Sequence, residues 1–444
     1  MAFEYTVKQC AEKLEISEQR VYQLIRDGLL PAEKTAGRYF VEEAAVDERI
    51  RLKPKAGRPA KAMHGSITHY TLMNRQYEVL DVEYDEIASE FSAVSDVHDL
   101  SRAPLGFTSP HGSKVSLREL TSWWAHRSIP ITRAGMDAKL ASLGVSDPSR
   151  IPFKSLGLSL SDQYWLRPKD VSLEWREVNF FTNDFGELDA ANWLSQVGLK
   201  SPDNTSEGQL SKRWVKINRV PILLKGGGQL DQEPYNELAA TRVFEILLHP
   251  DDFVPYRLWR QKDREAISAC DDFLTDEEEY IPAMYVTKVK KKDPARSDYQ
   301  HYLDCCDRLG IDDAKTSMEK MLTCDDMLGN TDRHWRNFGI VRNVNTLECR
   351  IAPIFDTGNS LWLHASGSSL GAGDFDFEIK PFFPDPNRQL RLVEDYSWLD
   401  LDRLDAIPGI VVETLLENPK MNDRAVYIGQ AVQQRIDRLK VIAS

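Results

Sequence analysis

Cysteine is scarce: six in 444 residues (Cys10, Cys270, Cys305, Cys306, Cys324, Cys349), none in a C-x-x-C pair. That scatter excludes a disulfide framework and the paired-cysteine zinc sites, and it implies free thiols in a reducing compartment. No apolar run approaches the roughly 20 residues that span a bilayer. The opening MAFEYTVKQC lacks the basic-then-apolar pattern of a signal peptide. Internal repeats and long low-complexity tracts are missing as well. A cytoplasmic chain with no membrane partner is the expectation. What is present is an ordinary globular composition, 42% hydrophobic and 28% charged, in a chain too long for one core.

The net charge of -13 is unevenly spread. Residues 1–62 hold 12 basic and 10 acidic side chains, so the excess of acid lies in the remainder. Residues 49–61, RIRLKPKAGRPAK, carry six basic residues and no acid. A basic front end on an acidic body points to a polyanion-binding module. The preceding stretch reads as a helix near Val7–Leu14 and a second over Glu18–Asp27, capped by Ser17 and stopped at Gly28. Ala11, Leu14, Val21, Leu24 and Ile25 have the spacing to pack the two helices together. LLPAEKTAGRYFVE then alternates about Gly37 as a β-hairpin wing would. Gln19, Arg20 and Gln23 on the second helix offer groups that pair bidentately with base edges in the major groove. Lys34 and Arg38 on the wing suit phosphates, and Arg58 in GRP suits a narrow minor groove, as in an AT-hook. Over roughly 50 residues this segment resembles the excisionase or MerR-type winged helix-turn-helix family. The organisation expected is a winged helix-turn-helix over 1–55, a basic linker over 56–65, a docking subdomain over 66–200, and two lobes over 201–285 and 286–444.

Residues 62–200 carry few chemical motifs, and their many Trp and Phe residues read as packing. Beyond them, Trp214–Ile217 and Val220–Leu224 read as two strands joined by a tight turn. Lys225 ends the second strand, three glycines follow, and QEPYNELAATRVFEIL reads as a helix with Leu238, Val243 and Leu247 on its buried face. Glu233 and Glu237 are candidate partners for the lysine, and Gly208 in the preceding loop would let backbone approach a nucleotide. A lysine neutralises phosphate oxygens, and a helix carboxylate holds it in place.

In GNTDRHWRNFGIVRN, Asp332 and Asn337 stand at the Asp-x-x-x-x-Asn spacing of a protein-kinase catalytic loop. The aspartate would orient or deprotonate the attacking hydroxyl, and the asparagine carbonyl suits magnesium, a hard cation. FGIVR and CRIAPIFD read as a hairpin delivering Asp356 in FDTG, a second metal ligand. Arg333 and His334 are placed to brace the loop. LHASGSSLGAGDFDF, after Asp356, has the composition of a mobile activation-type segment. Residues 381–444 read as helical.

TDRHWRNFGI, PIFDTGNSLW, LLKGG with EPYNE, and ISACDDFLTDEEEYIPAMYV together resemble the HipA-like serine/threonine kinases over roughly residues 200–440. The resemblance implies an α+β, bilobal protein-kinase-like fold and transfer of the ATP γ-phosphoryl group, with Mg2+, to a protein Ser or Thr. It places Asp332 as the catalytic aspartate, Asn337 and Asp356 as metal ligands, Lys225 on the phosphates, and a hinge near Ser268–Asp272, including Cys270 and Asp272, at the adenine. It also implies autophosphorylation in the glycine-rich loop, where Thr205 and Ser206 stand. Family members of the toxin–antitoxin type work with a separate DNA-binding partner; here the two functions share one chain. A homodimer is compatible with the reading. DRHWRN also resembles the loop of phosphoinositide lipid kinases, but the front end favours a bacterial protein with a protein substrate. Two alternatives stay open: a DNA-binding regulator whose kinase-like body only senses nucleotide, and a lipid or small-molecule kinase.

Overall fold

A computed structural model describes residues 4–14, 21–22, 24–25, 30, 32–35, 38–42, 45–46, 67–108, 114–127, 151–184, 212–228, 230–260 and 266–443. The chain divides into two compact units, Met1–His64 and Gly65–Ser444.

In the first unit a strand β1 (Glu4–Thr6) leads into helix α1 (Val7–Leu14), and the hairpin β2 (Ala32–Thr35) and β3 (Arg38–Glu42) follows. The expected helix and wing are both present. The short β1 was not expected; it pairs with β3, giving a sheet in the order β1-β3-β2. Val7, Cys10, Ala11 and Leu14 line one face of α1 and pack with Val21, Leu24, Leu30, Val41 and Val46. Ile25 packs at the margin of this core. Lys34 and Arg38 lie on the two wing strands, where Lys34 is opposite Tyr39 and Arg38 is opposite Thr35. Gln19, Arg20, Gln23 and Arg58 lie outside the described residues.

The second unit opens with a four-stranded antiparallel sheet in the order β6-β5-β4-β7, formed by β4 (Ile67–Asn74), β5 (Tyr77–Asp85), β6 (Glu90–Val97) and β7 (Tyr164–Pro168). Helix α2 (Leu117–His126) covers it, with Ser116 accepting from the Glu119 amide as its cap. The aromatic residues noted in the sequence do pack here: Trp123, Trp124, Trp165, Trp175, Phe180 and Phe181 are buried.

A second four-stranded sheet follows: β8 (Lys212–Ile217), β9 (Val220–Lys225), β10 (Tyr256–Trp259) and β11 (Ile267–Asp271), in the order β10-β11-β9-β8. Helix α3 (Gln232–Leu247) packs on it. Its buried apolar face is Tyr235, Ala239, Ala240, Val243 and Phe244, so the expected stripe shifts: Leu238 and Leu247 are only partly buried. The strand β12 (Glu278–Pro282) pairs with β13 (Gly339–Asn343), which pairs with β14 (Cys349–Ile351). The chain passes from β11 to β12 through residues 272–277. Gly339 is required at this crossing, because a Cβ there would lie 2.1 Å from the Ile281 carbonyl oxygen.

Helices α4 (Asp298–Arg308), α5 (Ala314–Leu328), α6 (Ile407–Leu416) and α7 (Asn422–Ala443) surround one large core that also takes in the buried face of α3. The polar stretch after Asp356 is pinned to it. Trp362 Nε1 donates to the Phe375 carbonyl at 2.9 Å, and the Arg435 guanidinium lies 4.4 Å from the Phe377 ring centre.

Candidate active site

Lys225 closes β9 because three glycines follow it, and its side chain turns into the interior, 4% exposed. Its Nζ lies 2.9 Å from Glu237 Oε1, 2.8 Å from Asp356 Oδ1 and 3.3 Å from the Tyr256 hydroxyl. Glu237 stands on the second turn of α3, and its other oxygen accepts from the Thr357 amide at 3.0 Å. One carboxylate thus ties the strand lysine to the segment carrying Asp356. Glu233, the other candidate, caps the glycine turn instead, accepting from the Gly228 amide at 2.9 Å. Burial alone would pull the Lys225 ammonium down, but Asp356 and Glu237 outweigh it and hold it well above its ordinary value. Burial would likewise raise Asp356, yet Lys225 and Lys212 hold its carboxyl well below the usual range. Lys212 faces Lys225 across the β8–β9 register, its Nζ 3.9 Å from Asp356 Oδ2. Asp356 itself adopts φ +57°, a left-handed conformation uncommon for a residue with a Cβ.

Gly329, at φ +61°, ends α5 and releases the loop 330–337. Arg333 is fully buried inside that loop. Its Nε and Nη2 donate to the two oxygens of Asp325 at 2.8 and 3.0 Å. Its Nη1 donates to the carbonyls of Asn337, at 2.8 Å, and Phe355. One guanidinium therefore fixes both ends of the catalytic-type loop and the residue before Asp356, which is the bracing expected of it. His334 braces more locally, its Nδ1 accepting from the Arg336 amide at 3.2 Å. Asn337 Nδ2 donates to the Asp332 carbonyl at 3.0 Å, which turns Oδ1 away as an available ligand. The Asp332 carboxylate lies 2.7 Å from Lys380 Nζ.

Lys225, Asn337 and Asp356 line one cavity of about 230 Å³. Cys270 and Asp272 are on its wall too. Burial pushes the Cys270 thiol up to about 12, so it presents an uncharged surface, and pushes the Asp272 carboxyl up to about 8. Asp272 tethers the crossover: its amide donates to the Pro221 carbonyl at 2.9 Å, and its Oδ1 accepts from the Leu274 amide at 3.1 Å. Glu237 and Asp332 act from outside this wall. Trp123, Arg127 and Tyr164 of the preceding sheet and helix complete the cavity. Gly208, Thr205 and Ser206 lie outside the described residues.

Sequence reasoning missed Lys212, Lys380 and the contribution of Pro104, Trp123, Arg127 and Tyr164. Lys212 was discoverable, since a two-residue turn at Asn218–Arg219 places it opposite Lys225. Lys380 was not, because it lies 48 positions from its partner in the chain.

The Helix-turn-helix domain family matches residues 4–51. The N-terminal unit is a helix-turn-helix domain. Over 105 residues the chain is 32% identical to the serine/threonine-protein kinase CtkA of Helicobacter pylori. That match takes in 22% of this chain and 32% of the relative, so the chain spans about a third of the length of the curated relative it matches. The crystal structure of a Helicobacter pylori proinflammatory kinase CtkA aligns at 19% identity over 52% of this chain and 96% of that one, with a TM-score of 0.36. The mixed helix-and-sheet fold and the partial likeness to a kinase agree with the fold class read from the sequence. Among the described residues, no helix is long and apolar enough to cross a membrane.

Proposed function

We propose that the chain is an ATP-dependent protein serine/threonine kinase of HipA-like type, joined to a DNA-binding module that targets or regulates it. The observation that carries this reading is Lys225 held between Glu237 and Asp356 on the cavity that Asn337 also lines. That is the charge pattern a triphosphate requires: an ammonium for the phosphates, a helix carboxylate to orient it, and oxygen ligands facing them.

The donor set fits magnesium. Asp356 keeps a carboxylate with 30% of its side chain exposed, and Asn337 spends its amide nitrogen on the loop, leaving a carbonyl oxygen. Bound there, the metal would neutralise charge on the triphosphate. The chain's own residues do the rest. Lys225 holds phosphate oxygens, Arg333 keeps Asn337 and the Asp356 segment in register, and Asp332 receives or orients the acceptor hydroxyl. Cys270 and Asp272 place the crossover at the base. Lys380, 2.7 Å from the Asp332 carboxylate, orients it.

On the DNA side, Gln19, Arg20 and Gln23 read base edges, Lys34 and Arg38 contact phosphates, and Arg58 enters the minor groove. Purified full-length protein given γ-labelled ATP and magnesium should label itself or a lysate protein, and Asp332→Ala should abolish this. Labelled lipid in place of protein would favour the lipid-kinase reading. ATP binding with no transfer would favour a nucleotide sensor.

A further inference from the structure

The loop 330–337 has a second side. Arg336 borders the nucleotide cavity and also a separate groove of about 710 Å³, walled on the same side by His334 and Trp335. The two spaces therefore share a wall residue four positions after Asp332. Met284 joins this wall directly, its amide donating to the Trp335 carbonyl at 3.0 Å and its Sδ accepting from Arg336 Nε at 3.2 Å, and Lys292 and His301 line the rest of the groove. Every residue of this groove follows β12 in the chain.

The floor is apolar and rigid. Trp335 packs against Phe338, Tyr302 and Phe382, with ring centres 5.5, 6.3 and 5.3 Å away. The rim carries a small excess of positive charge. Arg336 and Lys292 line it with one carboxylate, Asp298, which pairs with Lys292. Lys291 and Asp293 are exposed on either side of Lys292. His334 Nδ1 accepts from a backbone amide, so its other ring nitrogen carries the proton and acts as a donor. Asp332 itself is paired with Lys380, whose loop is held by hydrogen bonds to its backbone. Gln389, 1% exposed, donates to the Lys380 carbonyl at 2.8 Å and accepts from the Phe382 and Phe383 amides at 3.0 and 3.2 Å. In a chain of net charge -13, Arg336, Lys292 and Lys380 thus gather positive charge around this loop, with Lys292 paired to Asp298 and Lys380 to Asp332 itself.

We infer that this groove binds an acidic stretch of polypeptide flanking the acceptor Ser or Thr, with one apolar side chain of that stretch seated on Trp335; the inference rests on the kinase reading above. A basic flank would meet Lys292, Arg336 and Lys380 as like charges, so the arrangement selects against it as well as for acid.

The test uses the full-length protein, labelled ATP with magnesium, and a degenerate Ser/Thr peptide library, followed by fluorescence anisotropy with one acid-flanked and one base-flanked peptide. Acid-flanked peptides should be phosphorylated about tenfold better, through KM, and the advantage should shrink as salt rises. Lys292→Glu should narrow the preference while leaving the KM for ATP unchanged. Equal use of acid- and base-flanked peptides, or a preference for base, would overturn the groove and leave the kinase standing. Failure to phosphorylate any peptide would count against the kinase, while anisotropy would still judge the groove: tighter binding of the acidic peptide supports it, equal binding overturns it.

Discussion

Lys225 sits between two carboxylates where water is largely absent, and such a charge is tolerated only while its partners stay. Lys225→Ala would leave Glu237, whose side chain is 3% exposed, without its cation. The expected cost is about 3 kcal/mol, the range for breaking a buried pair, read as a lower denaturant midpoint together with lost ATP binding. Asp272 makes the opposite prediction. Its folded-state value near 8 stands above the ordinary 3.8, so between those values the folded chain holds a proton that the unfolded chain has released. Stability therefore falls as pH rises from about 4 to 8 on account of this group. Asp272→Asn removes that slope. The Tm advantage of the variant over the parent should widen from pH 5 to pH 8; a constant difference would contradict the assignment. Lys380 belongs to this scale too. Lys380→Ala should lower kcat about tenfold, roughly 1.4 kcal/mol in the barrier, with the ATP affinity unchanged, and Lys380→Arg should restore part of it. An unchanged kcat would reduce the Asp332 contact to a surface ion pair.

Among the elements, the loop 330–337 depends on one side chain. Arg333 is fully buried with Asp325, and its fourth donor contact reaches Phe355, so Arg333→Met should uncouple Asn337 from Asp356 and leave the buried Asp325 carboxylate without its cation, held by the Asn330 side-chain amide at 2.8 Å. A loss of about 3–5 kcal/mol is expected, with magnesium–ATP affinity falling further than stability alone accounts for. Local chemistry like this was readable in the sequence: Asp332 and Asn337 share one loop, and Lys225 is a strand end marked by its glycines. The helix α3 and the wing β2–β3 were readable for the same reason, since apolar spacing and turn residues are local. The sheet β4–β7 was not. The second half of β4 is buried residue after residue, from Tyr70 to Asn74, so it shows no period-two alternation to betray a strand. The stripe on α3 was misjudged because its core-facing positions are Ala239 and Ala240, small residues that carry little hydrophobic signal. Lys380 joins Asp332 through tertiary folding alone.

On the scale of the whole molecule, the sheet β4–β7 is fused to the lobe that carries the loop. Asn74 Nδ2 donates to Glu279 at 2.8 Å, Arg342 bonds Glu279 and the Tyr164 hydroxyl, and all four residues are buried. Removing residues 67–184 would expose that polar cluster and strip Trp123 and Tyr164 from the cavity wall, so the remainder should not fold stably. The unit Met1–His64 has its own core and its own sheet, and residues 1–62 alone should bind DNA with an affinity that falls steeply with salt. Salt-independent binding would contradict a phosphate-led interface. The central claim concerns the larger unit, that the cleft of Lys225, Asn337 and Asp356 presents ATP to an acceptor at Asp332. Its most direct test is phosphoryl transfer from γ-labelled ATP by the full-length protein, run beside Asp332→Ala with ATP binding measured on both. The account predicts labelled serine or threonine with the parent and none with the variant, at equal ATP affinity; transfer undiminished by Asp332→Ala would contradict it.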